Sequence, residues 1–309
     1  MRAVVLDEYG GPEVLEVREV DDPKVGPDYV LVRVRAAGIN PVDYKSIGGS
    51  LDRAFPAVWP FIPGWDLAGE VVAVGPAVRH VEVGQPVFGY ARKDLIGAGT
   101  WAELVAVHAR GVARAPEELD PVAASCLPLA GLTAWQALVE DLEVGAGDTL
   151  LIQGATGGVG HLATQIALAR GARVIGTCSE PSHDFLRSLG GEPVTYGEGV
   201  AERVREVAPD GVDAIADFAG PGLQPVGDEL LRTPGRVVSV LDPQAAQERG
   251  GTYIFVRPDV RQLGELARLV DAGQLTPHVQ SVHDLDAVRG AVTEAKDGKV
   301  RGKVVLRIP

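Results

Sequence analysis

Sulfur and aromatic side chains are scarce in this sequence, and long apolar runs are absent from it. Cys126 and Cys178 are its two cysteines, and two thiols cannot form the disulfide framework of a small secreted domain. No stretch approaches the roughly 18 apolar residues of a membrane-spanning helix. The apolar stretch at the N-terminus is too short for a signal peptide. We therefore expect a cytoplasmic protein that does not insert into a membrane.

Basic clusters are also missing. The 29 lysine and arginine residues are outnumbered by 42 acidic residues, which gives a formal net charge of −13. Without a lysine- or arginine-rich run, the chain offers no electrostatic footprint for a nucleic acid. With 309 residues, of which 46% are hydrophobic, it is long enough for two domains with large cores.

The glycine-rich segment 149–160 is the most informative part of the chain. It reads Thr-Leu-Leu-Ile-Gln-Gly-Ala-Thr-Gly-Gly-Val-Gly, a buried strand and a turn, and a helix and a second apolar strand follow. This order is typical of a dinucleotide-binding unit, in which glycines let the backbone approach a pyrophosphate and the helix N-terminus offers free N–H groups. The spacing is a variant of GxGxxG. The residues expected to contact a cofactor are Ala155, Thr156, Gly157, Gly158 and Val159. The alternative is a glycine-rich turn in another kind of α/β sheet.

Hydrophobic periodicity divides the chain into three stretches. Residues 1–118 are β-rich, with apolar and charged residues alternating at 30–36 and short strands at 70–75 and 85–89. Asp120-Pro121 then opens a helix, and strands alternate with helices over 119–257, as in a doubly wound parallel sheet. The predicted strands are 149–153, 173–177, 193–196, 212–217, 235–240 and 252–256, and the predicted helices are 158–170, 181–189, 199–207 and 222–232.

The last stretch, 258–309, is longer than that sheet needs. Its pattern predicts a helix over 259–272, strands over 277–282 and 303–308, and a helix over 284–296 between them. We expect it to return to the first domain. The nucleotide domain would then be inserted within the other domain.

Several motifs occur in a characteristic order. They are Ala36-Ala-Gly-Ile-Asn-Pro-Val-Asp43, Ile62-Pro-Gly-Trp-Asp-Leu-Ala-Gly69, Leu129-Ala-Gly-Leu-Thr-Ala134, the glycine turn and Arg301-Gly-Lys303. With them the chain resembles, over essentially its whole length, the zinc-independent quinone oxidoreductase branch of the medium-chain dehydrogenase/reductase superfamily. The resemblance implies an α/β fold in which a GroES-like, β-rich catalytic domain carries an inserted Rossmann domain. It also implies an NADPH-dependent reductase of quinones or α,β-unsaturated carbonyls.

Zinc-dependent members of that superfamily place metal ligands at three positions that carry Asn40, Trp65 and Leu129 here. Catalytic zinc normally takes three protein ligands from Cys, His or carboxylates. An amide, an indole and an isobutyl group cannot form that set, so we expect no catalytic zinc. Without a Lewis acid an activated acceptor is a better substrate than an alcohol, because its reduction needs only a hydride and a proton.

The resemblance places the segment around Asn40 in the active-site cleft. The candidate catalytic residues are Asn40, Asp43, Tyr44 and Lys45. Tyr44 or Lys45 could hydrogen-bond a developing enolate or phenolate oxygen, and a tyrosine could pass on a proton. The alternative is a surface Tyr and Lys on a loop, and Asp43 is expected to order that loop rather than to exchange protons. The aromatic segment 50–61 is either a substrate-facing loop or a packed connection.

The end of the second nucleotide-domain strand bears on the choice between NADPH and NADH. An NAD site usually carries an acid about 20 residues beyond the glycine turn, and that place falls on the neutral Cys178. The family's 2′-phosphate site uses a small hydroxyl residue and a tyrosine, which Ser179 and Tyr196 match. Its basic residue has no counterpart, since Arg187 comes a turn later, and Glu180 is an adverse charge. We expect a modest preference for NADPH, although Tyr196 could also be an ordinary strand-end aromatic.

The resemblance implies further cofactor contacts. Thr133 would face the nicotinamide, unless it only packs within its helix. The remaining residues of this set are Thr177, Ala219, Gly220, Val240, Val256, Arg257 and Lys303.

Other functions and the oligomeric state stay open from the sequence. An enoyl-thioester reductase is one alternative, although no basic cluster suits the phosphates of coenzyme A. A non-catalytic NADPH-binding sensor or structural protein is another. The apolar segment 252–256 would lie at a sheet edge, and pairing with its copy across a two-fold axis would remove an aggregation-prone edge. This favours a homodimer over a monomer whose C-terminal helices cover the edge.

We predict that activity does not depend on a metal, because non-ligands occupy all three zinc positions. Elemental analysis should find no stoichiometric zinc, and a chelator should leave the rate unchanged. One tightly bound zinc per chain, lost together with activity, would contradict this prediction.

Overall fold

The computed structural model describes residues 1–220 and 229–309. Its strands are β1 (Arg2–Val5), β2 (Glu16–Glu19), β3 (Tyr29–Gly38), β4 (Ala57–Ile62), β5 (Asp66–Val74), β6 (Pro86–Tyr90), β7 (Ile96–Ala98), β8 (Leu104–His108), β9 (Val112–Arg114), β10 (Thr149–Gln153), β11 (Arg173–Cys178), β12 (Glu192–Thr195), β13 (Ala214–Asp217), β14 (Val237–Ser239), β15 (Thr252–Tyr253), β16 (Val279–Asp284) and β17 (Lys303–Arg307). Its α-helices are α1 (Pro41–Ile47), α2 (Pro121–Ala124), α3 (Pro128–Trp135), α4 (Gly160–Ala169), α5 (His183–Ser188), α6 (Val200–Val207), α7 (Pro243–Glu248), α8 (Val260–Asp271) and α9 (Val288–Lys296). No helix in the described ranges is long and apolar enough to cross a membrane.

The chain divides into two compact units. The first comprises Met1–Leu129, Pro258–Gly273 and Pro277–Pro309, and the second comprises Ala130–Arg257 and Gln274–Thr276. The first boundary follows Leu129, whereas the sequence predicted it after residue 118. The difference arises because α2 packs against β3 and β5 and therefore stays with the first unit.

The first unit is built on an antiparallel sheet that the C-terminal tail completes. Its order is β16-β17-β3-β5-β6-β9, and β8 also pairs with β3. In β3, Val30, Val32 and Val34 are buried while Arg33 and Arg35 are exposed, the alternation expected of a half-buried strand. Strand β17 runs antiparallel to β3, and β16 runs parallel to β17. The tail strands β16 and β17 therefore belong to the sheet of the first unit.

The second unit contains a six-stranded parallel sheet. Its order is β12-β11-β10-β13-β14-β15, the order of a doubly wound dinucleotide-binding fold. Every residue of the central strand β10 is buried, as a strand covered by helices on both faces requires. The predicted fold class is confirmed.

The edge strand is shorter than the sequence predicted. β15 covers two residues rather than 252–256 because its neighbour β14 offers them only two partners, Val238 and Ser239. Beyond that point Ser239 Oγ accepts hydrogen bonds from the backbone N–H groups of Leu241 and Asp242, which turns the chain out of the sheet.

Three further sequence expectations concern α1, the segment 50–61 and the predicted helix over 222–232. Tyr44 and Lys45 lie on helix α1 rather than on a loop, because Asn40 and Pro41 provide the start of a helix. The segment 50–61 includes most of β4, which pairs with β7. The predicted helix over 222–232 falls largely on residues 221–228, which lie outside the described residues.

Candidate active site

Buried polar side chains surround the start of α1. The Asn40 side-chain amide donates to Asp66 Oδ2 at 2.8 Å, and its Oδ1 accepts from the ammonium of Lys303. Lys303 Nζ also donates to the carbonyl oxygen of Ile39 at 2.9 Å. The residues come from the end of β3, the start of β5 and the start of β17, so the sheet itself brings them together.

Lys303 and Asp66 form a buried ion pair. Lys303 Nζ lies 3.5 Å from Asp66 Oδ2, and the two side chains are 3% and 0% exposed. Burial raises the pKa of Asp66, and the Lys303 ammonium and hydrogen bonds from Asn40 and Leu129 N–H oppose that rise. Because burying a charge pair costs desolvation energy, its benefit here is a fixed geometry around Asn40 rather than stability alone.

The four predicted catalytic residues occupy different environments. Asn40 and Asp43 are buried, and Asp43 Oδ2 accepts from Asn40 N–H at 2.7 Å. Burial raises the pKa of Asp43 to about 7, and its Oδ1 has no hydrogen-bond partner. Tyr44 is half-buried and Lys45 is exposed. The structure thus joins Asn40 to Asp43 and leaves Tyr44 and Lys45 on the accessible side of α1, while their catalytic roles stay predictions.

The three positions that carry zinc ligands in zinc-dependent relatives belong to this network or pack beside it. The Asn40 side-chain amide donates to Asp66 Oδ2, and the backbone N–H of Leu129 donates to Asp66 Oδ1 at 2.7 Å. The ring of Trp65 packs against Phe55 and Tyr90, with centroids 5.9 and 6.0 Å away. Across residues 1–220 and 229–309, no group of three or more His, Cys, Asp or Glu side chains could hold a metal ion.

In the second unit, the glycine turn connects β10 to α4. Gly154 adopts a φ of +74°, a conformation that favours glycine, and Gly157 N–H closes the turn by donating to the Gly154 carbonyl at 3.1 Å. A Cβ on Gly160 would clash with the Gly154 carbonyl oxygen, so a glycine is required there for α4 to pack on the turn. A Cβ on Gly157 would meet no atom closer than 3.5 Å, which leaves that side of the turn open.

This turn fits a dinucleotide. The N–H groups of His161, Leu162 and Ala163 donate to the Gly157 and Val159 carbonyls and so fix the start of α4 on the turn. A helix N-terminus after a glycine turn favours an anion such as a pyrophosphate. Ala155 is fully buried, and Gly154 N–H donates to Thr177 Oγ1 at 3.2 Å, which ties the turn to the end of β11. Thr156, Gly158 and Val159 lie on the same turn, as the sequence predicted.

The residues predicted to recognise a 2′-phosphate lie at the ends of adjacent strands. Cys178 pairs with Thr195 as the last register pair of β11 and β12, so Ser179 and Tyr196 both follow it directly. Tyr196 is 61% exposed and Ser179 is partly exposed. Arg187, the basic residue that follows Ser179 along the chain, forms an ion pair with Asp184 at 2.8 Å.

A buried carboxylate shapes the loops after β13 and β14. Asp217 Oδ1 accepts from the N–H groups of Ala219 and Gly220 at 3.0 and 2.9 Å, and Ser239 Oγ donates to its Oδ2 at 2.7 Å. Val240 N–H donates to the Asp217 carbonyl at 3.2 Å. Ala219, Gly220 and Val240, three predicted cofactor residues, are therefore held around one residue: the first two by the Asp217 carboxylate and Val240 by the Asp217 carbonyl.

A helical turn fixes the segment that ends at Arg257. The buried Gln136 amide donates to the Arg257 carbonyl at 2.9 Å and accepts from its N–H at 3.1 Å. The Arg257 guanidinium pairs with Glu140 at 2.6 Å. Both partners lie on a π-helix, Gln136–Asp141, that follows the buried Thr133. π-Helical turns are rare and are often found at functional sites.

The sequence analysis missed Gln136, Asp217 and Ser239. All are polar side chains within or at the end of apolar segments, and that placement is the signal that could have found them. A polar group there must find a partner, because an unpaired buried polar group is costly.

Comparison with known proteins identifies the family. The family model described as alcohol dehydrogenase GroES-like domain matches residues 26–117, and that described as zinc-binding dehydrogenase matches residues 190–306. A chloroplastic quinone-oxidoreductase of Triphysaria versicolor is 30% identical over 99% of this chain and 98% of its own. An NADPH-dependent alkenal/one oxidoreductase of Arabidopsis thaliana is 31% identical over 99% of this chain and 79% of its own. The structure of a quinone oxidoreductase from Coxiella burnetii covers 100% of this chain and 99% of its own, with 30% identity and a TM-score of 0.88.

This chain therefore belongs to the quinone oxidoreductase branch of the medium-chain dehydrogenase/reductase superfamily. It is an oxidoreductase with a nicotinamide cofactor and a small-molecule substrate.

We predict that Lys303→Met destabilises the protein by about 3–5 kcal/mol, because it leaves the buried Asp66 carboxylate without a cation. The double variant Lys303→Met/Asp66→Asn removes both charges and should recover most of that loss. Urea unfolding measures both. Lys299→Met, which breaks an exposed pair with Asp297, is the control and should cost under about 0.5 kcal/mol. A double variant no more stable than the single one would show that the unpaired charge is not the cause.

We predict that Gly158→Asp abolishes binding of the dinucleotide, because it sets a carboxylate against the pyrophosphate in a tight turn. Calorimetric titration with NADPH measures the affinity, and circular dichroism checks the fold. The control is Gly264→Asp on α8, where a Cβ meets no atom within 4 Å. Undiminished affinity in folded Gly158→Asp would overturn the assignment of the turn.

Proposed function

We propose that this protein transfers a hydride from NADPH to a quinone or an α,β-unsaturated carbonyl without zinc. The observation that carries the proposal is the occupation of the three ligand positions: Asn40 and Leu129 are bonded to Asp66, and Trp65 packs among aromatic rings. These residues cannot form a Cys, His or carboxylate ligand set. The glycine turn supports hydride chemistry, and the similarity to quinone and alkenal/one oxidoreductases supports this acceptor class.

The residues around α1 take complementary parts in this proposal. The bound cofactor supplies the hydride. Tyr44 then donates a hydrogen bond, and finally a proton, to the oxygen that gains charge in the acceptor. A phenol is ordinarily protonated at neutral pH and can act as a donor, and burial raises the pKa of Tyr44 further. Lys45 adds a positive charge on the exposed side of α1, and Asn40, Asp43 and Lys303 position the helix.

The second unit binds the cofactor along the carboxyl ends of its strands. The turn residues 155–159 hold the pyrophosphate, and Ser179 and Tyr196 receive the 2′-phosphate. The loops shaped by Asp217 and the Arg257 segment held by Gln136 contact the nicotinamide half. In this arrangement Asp217 and Gln136, which the sequence analysis did not identify, hold the predicted cofactor residues in place.

Turnover experiments test the proposed reaction. NADPH oxidation should be fast with a simple quinone or a free enone, and slow with an enoyl thioester of matched chain length. Tyr44→Phe should lower kcat by about 10²-fold, the usual contribution of one proton donor, with little change in KM. Faster turnover of the thioester favours an enoyl-thioester reductase, and tight NADPH binding without any turnover favours a sensor or structural protein.

We predict about a tenfold preference for NADPH over NADH in kcat/KM, or roughly 1.4 kcal/mol. The preference is modest because Arg187 is engaged by Asp184. Cys178→Asp should reverse it, since a carboxylate at that strand end repels a 2′-phosphate and bonds a ribose hydroxyl. Cys126→Ser, at the other buried cysteine, is the control. Equal or better kcat/KM with NADH in the wild-type protein would refute the preference.

We propose a cytoplasmic location as part of this function. Both Cys126 and Cys178 are buried free thiols, which suits a reducing compartment. Such a compartment also supplies reduced cofactor to a reductase.

We also propose a homodimer formed across β15. This strand lies at the edge of the parallel sheet, and apolar side chains stand exposed beside it: Tyr253, Phe255 and Leu241 are 38%, 45% and 43% exposed. Ile254 N–H donates inward to the Ser239 carbonyl. In extended backbone the N–H group of the preceding residue, Tyr253, points the opposite way, toward a second copy.

We predict that Phe255→Asp converts the dimer to a monomer, because the two-fold axis brings the new carboxylates together. Light scattering should give twice the chain mass of 32.4 kDa for the wild-type protein and one chain mass for the variant. Val83→Asp, at a 64% exposed valine of the first unit, should leave the dimer intact. A wild-type mass near one chain at micromolar concentration would contradict the dimer.

A further inference from the structure

The loop 195–199 between β12 and α6 is tied to one guanidinium group. Arg203 Nε and Nη2 donate to the Thr195 carbonyl at 3.0 and 2.8 Å. Nη1 donates to the Glu198 carbonyl at 2.9 Å, and Nη2 to the Tyr196 carbonyl at 3.3 Å. Several carbonyl groups of this loop therefore point toward a single side chain.

The local backbone explains why an arginine is needed. Gly197 and Gly199 have φ angles of +98° and +72°, and these left-handed residues curl the loop so that its carbonyl oxygens converge. Converging carbonyls repel one another and need donors. The planar guanidinium offers five N–H groups in a rigid fork, which a lysine ammonium cannot match.

The tethered loop carries Tyr196. The Tyr196 carbonyl faces the guanidinium while its side chain is 61% exposed, and its N–H makes only a long 3.4 Å bond to the Cys178 carbonyl. Arg203 thus restrains the backbone of the loop from which the Tyr196 ring extends. Because Cys178 and Thr195 are register partners, Ser179 starts its loop at the same level of the sheet.

We propose that Arg203 is a positioning residue for cofactor specificity: it favours NADPH over NADH by holding Tyr196 where a 2′-phosphate meets it. The inference rests on the NADPH preference proposed above. Arg187 pairs with Asp184, whereas Arg203, on α6, bonds the loop that carries Tyr196. Arg203 acts through the loop rather than by direct contact, because its donors are engaged by carbonyl groups.

Binding of cofactor fragments tests this without turnover. We expect the wild-type protein to bind adenosine 2′,5′-bisphosphate about tenfold more tightly than AMP by calorimetry. Arg203→Leu should lower the affinity for the bisphosphate about five- to tenfold and change that for AMP less than about twofold, and Arg203→Lys should fall between. Amide hydrogen exchange of residues 196–199 in the free protein should speed up in Arg203→Leu.

Arg205→Leu is the matched control, because Arg205 lies on the same helix and pairs with Glu229 instead. It should leave both affinities unchanged. If folded Arg203→Leu still binds the bisphosphate about tenfold more tightly than AMP, the inference is wrong but the NADPH preference stands. If Arg203→Leu loses affinity equally for both ligands, Arg203 has a general structural role and the inference is again wrong. A wild-type protein that binds both ligands equally contradicts the NADPH preference itself and removes the inference with it.

Discussion

The buried ammonium of Lys303 is the interaction on which the first unit depends. It meets three oxygens, those of the Ile39 carbonyl, the Asn40 amide and the Asp66 carboxylate. Two of its N–H groups are used in hydrogen bonds to Ile39 and Asn40, and Asp66 Oδ2 lies 3.5 Å away. The ammonium therefore fixes the start of α1 against β5 and β17. Tyr44 and Lys45, on the accessible side of this helix, are the donors proposed above for the substrate oxygen.

In the second unit, Asp217 and Gln136 fix loops by hydrogen bonding, as Lys303 fixes the start of α1 in the first unit. Asp217 and Gln136 hydrogen-bond backbone groups of neighbouring segments. These bonds give fixed shapes to loops that lack regular structure. Loops at the carboxyl ends of parallel strands form ligand sites in doubly wound folds. A buried side chain that bonds the backbone of such a loop holds it from the protein interior, and the solvent-facing side of the loop can then contact a ligand. Precision in these loops thus comes from buried polar residues rather than from the residues predicted to touch the cofactor.

Most of the fold could be predicted from the sequence because periodicity and glycine spacing are local signals. The strand–turn–helix at 149–160, the rhythm of the parallel sheet and the returning tail all appear in the structure. The position of Tyr44 on a helix was missed although Asn40-Pro41 carries a helix-start signal. The shortening of β15 could not be foreseen, because it depends on where Ser239 ends the neighbouring strand. Likewise, no local pattern shows that Arg203 would bind the carbonyls of its own preceding loop.

The closing strand of the first unit has a consequence for how the chain reaches its native state. The hydrogen bond between Asn40 and Lys303 joins residues 263 positions apart. In the sheet, β17 lies between β3 and β16. The strands of the second unit, by contrast, all lie within one continuous stretch of chain, 149–253. Contacts between distant segments form slowly because loop closure must precede them. During synthesis the inserted unit can therefore acquire its structure first, and the unit that carries α1 must wait for β17 to leave the ribosome.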